Sequence, residues 1–414
     1  MNNWTMALRN IGRNKRRSLL AILSVAISIL VVIFADGFVS GVIASMIRNV
    51  TKDDTGHINV VTQAYRERER FMPASASLPD SDAVIAAIEK TPGLEGKIDK
   101  VVARIQFGVI LSSAAETKTA RGVAGDPEIE RGLLMLDKVL LPGSAYCDKS
   151  GTAIVGVKLA KDLGLKVGDT LKVVTEKADY GLGFKKFRIS GLFKTGLDLF
   201  DDSTFQVGLD DARDLLGLGK GASQVLVMLK DYRDADADAK LIDASLGAGG
   251  FGKLSVRSWT SIGDTARLIQ LTGQIYFIIE LVIAFLGAFI IANVMMMVVL
   301  ERRREIGILK SMGMENGRVL GLFLAEGTML GVIGGIVGAL LGTGLNILLS
   351  IHGIDFSHIT AGTSIPMDNI VRPVVHPLQV LALFCMGVAI SAIVAYLPSR
   401  SAARMDPIDA IRSV

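Results

Sequence analysis

Apolar positions gather in four long runs, and between the first and second run the chain returns to the mixed pattern of a globular domain. The runs cover residues 19–47, 275–300, 319–351 and 378–397, and their only charges are Asp36, Glu280 and Glu326, one in each of the first three. A helix needs about 20 mostly apolar residues at about 1.5 Å each to cross a hydrocarbon core of about 30 Å. All four runs meet that length. The first follows basic residues, as a signal peptide does, but it is far longer than an h-region of about 7–15 residues and no small-x-small cleavage site follows it. It reads as an uncleaved first span.

Between the first two runs the period changes. "HINVVTQ", "KVVARIQFGVILSS", "TKTARGVAG", "DTLKVVTEKA", "KKFRISGLFKTG" and "QVLVMLK" are β-branched segments bounded by Gly, Asp or Ser and predict strands. "DSDAVIAAIEKT", "AIVGVKLAKDLGL", "DDARDLLGL" and "RDADADAKLIDASL" have helical spacing, the first opening on an acidic cap. The chain reads as an α-helical membrane protein with four transmembrane helices and a large α+β extracytoplasmic domain inserted between helices 1 and 2. The expected segments are a lead-in with the first span (1–47), the inserted domain (48–267, with a second lobe at 126–221) and the second span (268–300). A cytoplasmic helix (301–318), the third span (319–351), an outer loop (352–377), the fourth span (378–397) and a C-terminal segment (398–414) come after.

Composition agrees: half the 414 residues are hydrophobic and mean hydropathy is positive, above what a soluble domain of this length carries. Basic residues set the orientation. Arg9, Arg13, Lys15, Arg16 and Arg17 precede the first run; Arg302, Arg303, Arg304, Lys310 and Arg318 lie between the second and third; Arg400, Arg404 and Arg412 come after the fourth. The segment between the third and fourth carries only Arg372. Both termini and 301–318 are therefore expected in the cytoplasm, with the inserted domain outside. This distribution accounts for the net charge of +4 without nucleic acid.

Familiar catalytic patterns are absent. "GLGKGAS" and "LEGKID" lack the Ser or Thr and the leading spacing of a phosphate-cradling loop, and there is no G-x-S-x-G, H-E-x-x-H or C-x-x-C. The chain is not expected to be an enzyme, to hold a metal or to bind a cofactor. His352, His358 and His376 match no metal spacing. Cys147 and Cys385 fall in the inserted domain and the fourth span, too far apart in the expected topology to pair; Cys147 reads as a small buried hydrophobe. Asp36 and Glu280 fall near the outer ends of their spans, as a charge at the water boundary or, alternatively, as a substrate contact. Glu326 sits about two turns into the third span, placed to pair with a basic residue of 301–318 or of the C-terminal segment. The third run is rich in glycine, which lets helix backbones approach closely in lipid; packing on spans two and four is expected ahead of a dimer seam.

The segment "ERRREIGILKSMGMENGR" (301–318) is densely charged yet lies between two apolar runs. It reads as an amphipathic helix, with Ile306, Ile308, Leu309 and Met312 on the packed side and Arg303, Arg304, Lys310, Ser311, Glu315 and Arg318 opposite. Glu301, Glu305 and Glu315 give the polar side mixed charge, which suits a protein partner better than anionic lipid.

This segment and its surroundings resemble the core of the FtsX-like permeases, the MacB/LolCDE-type (type VII) ABC transporters. The matching positions are Asn293 and Met295; Glu301, Arg302, Glu305, Ile306, Gly307, Ile308, Lys310 and Gly313; and Phe323, Leu324, Glu326 and Leu330. "ALRNIGRNKRRSLLAILSVAI", "AYLPSRSAARMDPIDAIRSV", "GHINVVT" and "TAIVGVKLAKDLGLKVGDTLKV" resemble other parts of the same family. The resemblance implies a permease working with a second permease subunit, identical or homologous, and two ATPase subunits that bind ATP and magnesium. It implies that ATP-driven motion passes through the spans to the outer domain, termed mechanotransmission, and that a periplasmic carrier or adaptor takes part. It places ATPase coupling on Glu301, Arg302, Arg304, Glu305, Ile306, Gly307, Leu309, Lys310 and Gly313. Helix packing falls to Asn293, Glu326, Gly331, Gly335 and Gly338. Phe38, Met46, Tyr276, Phe277 and Met295 are candidates for an acyl-chain slot between the first two spans, with ordinary helix packing as the alternative.

MacB fuses an ATPase to its permease, whereas this chain starts directly at the permease; cell-division FtsX has a much shorter outer domain. The resemblance therefore implies release of lipoproteins from the outer leaflet of the inner membrane. Drug or peptide efflux with a periplasmic adaptor is one alternative, and a regulatory scaffold for a cell-wall hydrolase is another.

Overall fold

The computed structural model describes residues 15–113, 116–134, 136–195, 198–356 and 370–406. The basic lead-in before Lys15, residues 357–369 of the outer loop with His358 among them, the last eight residues and the side chain of Met295 lie outside the described residues. Among the described residues, the principal helices are α1 Lys15–Val50, α2 Ser81–Glu89, α3 Pro127–Leu133, α4 Leu209–Leu216, α5 Ala235–Ala248, α6 Gly263–Glu301, α7 Arg303–Ser311, α8 Asn316–His352 and α9 Pro377–Ala403. The strands of the large sheet are β1 Ile58–Thr62, β2 Ile98–Ser112, β3 Thr117–Gly125, β4 Thr152–Gly156, β5 Thr170–Glu176, β6 Leu182–Phe193, β7 Thr204–Gly208, β8 Gln224–Leu229 and β9 Leu254–Ser258. The chain divides into two compact units: a helical one from residues 15–44, 271–354 and 370–406, and a mixed one centred on 45–270.

In the helical unit, stretches of α1, α6, α8 and α9 are long and apolar enough to cross a membrane, at Ser18–Val50, Ala266–Phe289, Asn316–His352 and Pro377–Ala403. Helix α8 packs between α1 and α9, and its glycines set both contacts. Gly334, Gly338 and Gly342, one turn apart, face α1. A Cβ at Gly334 would stand 2.7 Å from the Val25 Cβ, and one at Gly338 would stand 2.5 Å from the Ala26 carbonyl oxygen. Gly331 and Gly335 face α9, where a Cβ would meet Ser391 at 2.7 Å and Phe384 at 2.9 Å. The glycines of this helix thus seat the first and fourth apolar helices, whereas packing on the second and fourth is the expectation; the start of α8 meets α6 through Val319, Phe323 and Val299. The physical reason is that glycines at i, i+4, i+8 make one groove and those displaced by three make another, so a single helix seats two neighbours. Asn346, near the other end of α8, donates to the Ile33 carbonyl at 2.8 Å. Helix α6 leaves Phe277, Phe285 and Phe289 more than half exposed.

The mixed unit is built on one sheet that partly closes on itself. Successive pairings β2–β3, β3–β7, β7–β4, β4–β6, β6–β5 and β5–β2 complete a ring of six strands. The other end of β2 pairs with β8, and β8–β1–β9 continue as an antiparallel sheet. Alternation explains the ring: along β5, Leu171 and Val173 point into the core while Lys172 is exposed. Phe107 and Phe205 meet edge to face inside it, centroids 5.9 Å apart. The ring lobe draws on 104–125 as well as on β4 to β7, because the 15-residue β2 runs through both lobes. "AIVG", expected as the start of a helix, is strand β4, and the helix begins at Val157. A short buried apolar run has no periodicity that separates strand from helix.

Candidate functional site

The site is the turn between α6 and α8. Helix α6 ends at Glu301, Arg302 leaves helical geometry (φ −97°, ψ 11°), and α7 restarts at Arg303. Its far end closes on Gly313, whose φ of +90° disfavours side chains; the Gly313 and Met314 amides donate to the Lys310 and Leu309 carbonyls at 3.0 and 3.1 Å. Glu315 then stands at the N-cap position of α8, its carbonyl accepting the Arg318 and Val319 amides at 3.0 and 3.2 Å. The segment is a structured helix held between two sharp turns.

Three contacts fix its inner side. Ile306 is 1% exposed and packs with Val299, Val319, Phe323, Ala402 and Ala403 from α6, α8 and α9. Arg302 turns inward, and its Nη1 donates to both Glu326 carboxylate oxygens on α8 at 2.9 and 3.2 Å, with both side chains buried. Lys310 Nζ donates to the Ala403 and Met405 carbonyl oxygens at 2.9 and 2.6 Å. A cation there satisfies carbonyls at the end of α9 that have no partner within their own helix. Gly307 is buried and Leu309 half-buried.

The outer side carries Arg303, Arg304, Glu305, Ile308, Ser311 and Met312, all exposed, with Glu301, Glu315 and Arg318 exposed beside them. Ile308 and Met312 are 46% and 71% exposed, so they do not share the packed side with Ile306 as expected. Two residues of helix turn a side chain through about 200°, so Ile306 and Ile308 must oppose each other. Arg304, Ile308 and Met312 instead form one line at i, i+4, i+8. Of the residues expected to couple, Glu301, Arg304 and Glu305 face outward; Arg302, Ile306, Gly307 and Lys310 hold the helix in place.

The remaining candidates are dispersed. Asn293 is exposed on α6, while Glu326, Gly331, Gly335 and Gly338 are buried at helix contacts. Asp36 is buried and accepts a hydrogen bond from Gln379 on α9; Glu280 is half-buried. Phe38 stacks on Phe34 at 6.3 Å, Met46 is buried, Tyr276 is half-buried and Phe277 is exposed. None of these four lines the apolar cavity of about 30 Å³ among Val32, Gly287, Met386 and Ile390.

In the mixed unit, Cys147 packs with Tyr146, Ile154 and Phe193, and burial pushes its thiol up to about 12. His57 is held below the usual histidine range by burial, and its Nδ1 accepts the Leu229 amide at 2.9 Å. A buried Arg104–Glu130 pair stands outside every expected site, although a lone arginine on the inward register of "KVVARIQFGVILSS" signals one. Among the described residues, no three of His, Cys, Asp and Glu gather as metal ligands.

Four helices long and apolar enough to cross a membrane, with a mixed α/β domain between the first two in sequence, give the chain the build of a membrane protein with one large inserted domain. The MacB-like periplasmic core domain matches residues 18–245 and the FtsX-like permease C-terminal domain matches 277–407, so the chain belongs to the FtsX-like, MacB/LolC-type permeases. Among similar proteins is the lipoprotein-releasing system transmembrane protein LolC of Neisseria meningitidis serogroup B, 29% identical over 63% of this chain and 64% of its own length. The uncharacterized ABC transporter permease YknZ of Bacillus subtilis is 26% identical over 100% of this chain and 99% of its own. The macrolide export ATP-binding/permease protein MacB of Agrobacterium fabrum is 23% identical over 98% of this chain but 60% of its own. The chain therefore spans less than two thirds of these LolC and MacB relatives.

Proposed function

We propose that this chain is the transmembrane subunit of an ABC transporter that releases lipoproteins from the outer leaflet of the inner membrane, driven by ATPase subunits that dock on α7. The observation that carries the reading is the brace around α7. A nine-residue helix tied to α8 through Arg302–Glu326 and to α9 through Lys310 is a lever whose outer line of Arg304, Ile308 and Met312 is exposed. A push on the line Arg304–Ile308–Met312 reaches two membrane helices at once. ATP and magnesium belong to the ATPase, a second permease subunit completes the membrane part, and a periplasmic carrier accepts the cargo. Both termini and α7 are cytoplasmic in this reading. The LolC resemblance supports the cargo class.

Export of a drug or peptide through a periplasmic adaptor is the second reading, favoured by the MacB match along 98% of this chain. Depletion of the chain in its host separates the two. Lipoproteins retained in the inner membrane support release. Normal lipoprotein sorting with increased macrolide sensitivity supports export.

A further inference from the structure

Strand β2 changes partners at Arg104. Its pairing with β8 ends at Arg104–Gln224, and its pairing with β3 begins at Arg104–Gly125, so the open sheet and the ring meet at this residue. The side chain is fully buried. Its Nε and Nη2 donate to the two Glu130 oxygens at 2.8 and 2.7 Å, and its Nη1 donates to the Lys52 carbonyl at 2.7 Å. Glu130 lies on α3 and fills the space over Gly125, where a Cβ would stand 2.4 Å from it. Lys52 belongs to the π-helical turn Thr51–Thr55, which continues α1 and leads through Gly56 (φ +65°) into β1. One guanidinium thus holds the end of α1, the ring lobe and the strand that both lobes share.

A buried ion pair is a poor way to gain stability, since apolar residues of similar volume serve as well. What a guanidinium adds is a rigid planar fork that bonds in several fixed directions. A π-helical turn is an unusual local geometry that concentrates at functional positions. We propose that Arg104 is a positioning residue, a buried node that makes the end of α1 and the two lobes of the inserted domain move as one body. The node rests on the geometry; that its rigidity serves transport rests on the reading above.

The test uses the full chain in lipid nanodiscs, without ATPase or cargo, so its failure is separate from any failure of the transport reading. Arg104→Met/Glu130→Met removes the pair and the Lys52 contact without leaving a lone buried charge. Hydrogen exchange is read at residues 51–57. Spin-label distances are read between Lys90→Cys and Lys172→Cys, one on each lobe, in a Cys385→Ser background. The expected result is exchange about 10-fold faster at 51–57 and a broadened inter-lobe distance, with the β5–β6 ladder protected as before. Unchanged exchange, an unchanged distance distribution, or an equal acceleration across the whole unit each overturns the proposal. If the double variant does not fold, Arg104→Lys is judged by the same criteria, because lysine keeps the charge but cannot bond in the fork geometry.

Discussion

Arg302 and Glu326 form a buried ion pair in which a single guanidinium nitrogen bridges both carboxylate oxygens, at 2.9 and 3.2 Å. The pair joins the turn before α7 to the third apolar helix, 24 residues later in the chain. Removing one partner takes the close counter-ion from a buried charge, and the exposed Glu305, 3.9 Å from the Arg302 Nε, is a weak substitute, so Glu326→Gln or Arg302→Met should cost about 3–5 kcal/mol. Arg302→Met with Glu326→Leu should recover most of that stability. Denaturant midpoints of the purified chain check this; equal losses in single and double variants would argue against the pairing.

The glycine contacts of α8 make a graded prediction. Gly338→Val places a side chain where the Ala26 carbonyl already lies and should destabilise the helical unit by about 1–3 kcal/mol. Gly344 has nothing within 4 Å of its Cβ position, so Gly344→Ala should leave the melting temperature unchanged or raise it. A matched pair of thermal melts decides it.

His57 gives the mixed unit a defined pH dependence. Its folded pKa lies below the unfolded value of 6.5, so the unfolded chain takes the proton first. The stability held at pH 7 and above is then lost as pH falls below about 6.5 toward the folded pKa. Protonation at Nδ1 also removes the acceptor of the Leu229 amide. His57→Asn offers an oxygen in that place without titrating, so its melting temperature should fall less than the wild type's between pH 7.5 and pH 5.5.

With its thiol pushed up to about 12 and its side chain buried, Cys147 is neutral and shielded at pH 8. In a Cys385→Ser variant, a maleimide should not label the folded chain within an hour and should label it once per chain after denaturation. Rapid labelling of the folded protein would contradict the packing around Tyr146 and Phe193.

The helices are legible in the sequence because a long apolar run has few other readings, and α7 because charge between such runs demands an interface. Which way α7 faces is not legible from charge alone. Arg302 is one of three consecutive arginines, and only the fold brings Glu326 to it. The chemistry of Ile308 suggests the packed side, though helix geometry sets it opposite Ile306. The ring is hidden for another reason. Its closure depends on β2 pairing with both β3 and β5 while its other end pairs with β8, and register between distant strands leaves no local pattern. Arg104, the residue where those pairings change over, is visible in the sequence only as a charge in an apolar strand.

The central claim is that the outer face of α7 receives an ATPase. The direct measurement is ATP turnover by the partner ATPase, co-reconstituted in nanodiscs with the wild-type chain or with Ile308→Glu/Met312→Glu. Both positions are exposed, so the variant should keep the wild-type melting temperature. The account predicts that the wild type stimulates turnover and that the variant returns it to the level of the ATPase alone, with loss of co-purification. Equal stimulation by a correctly folded variant would contradict it.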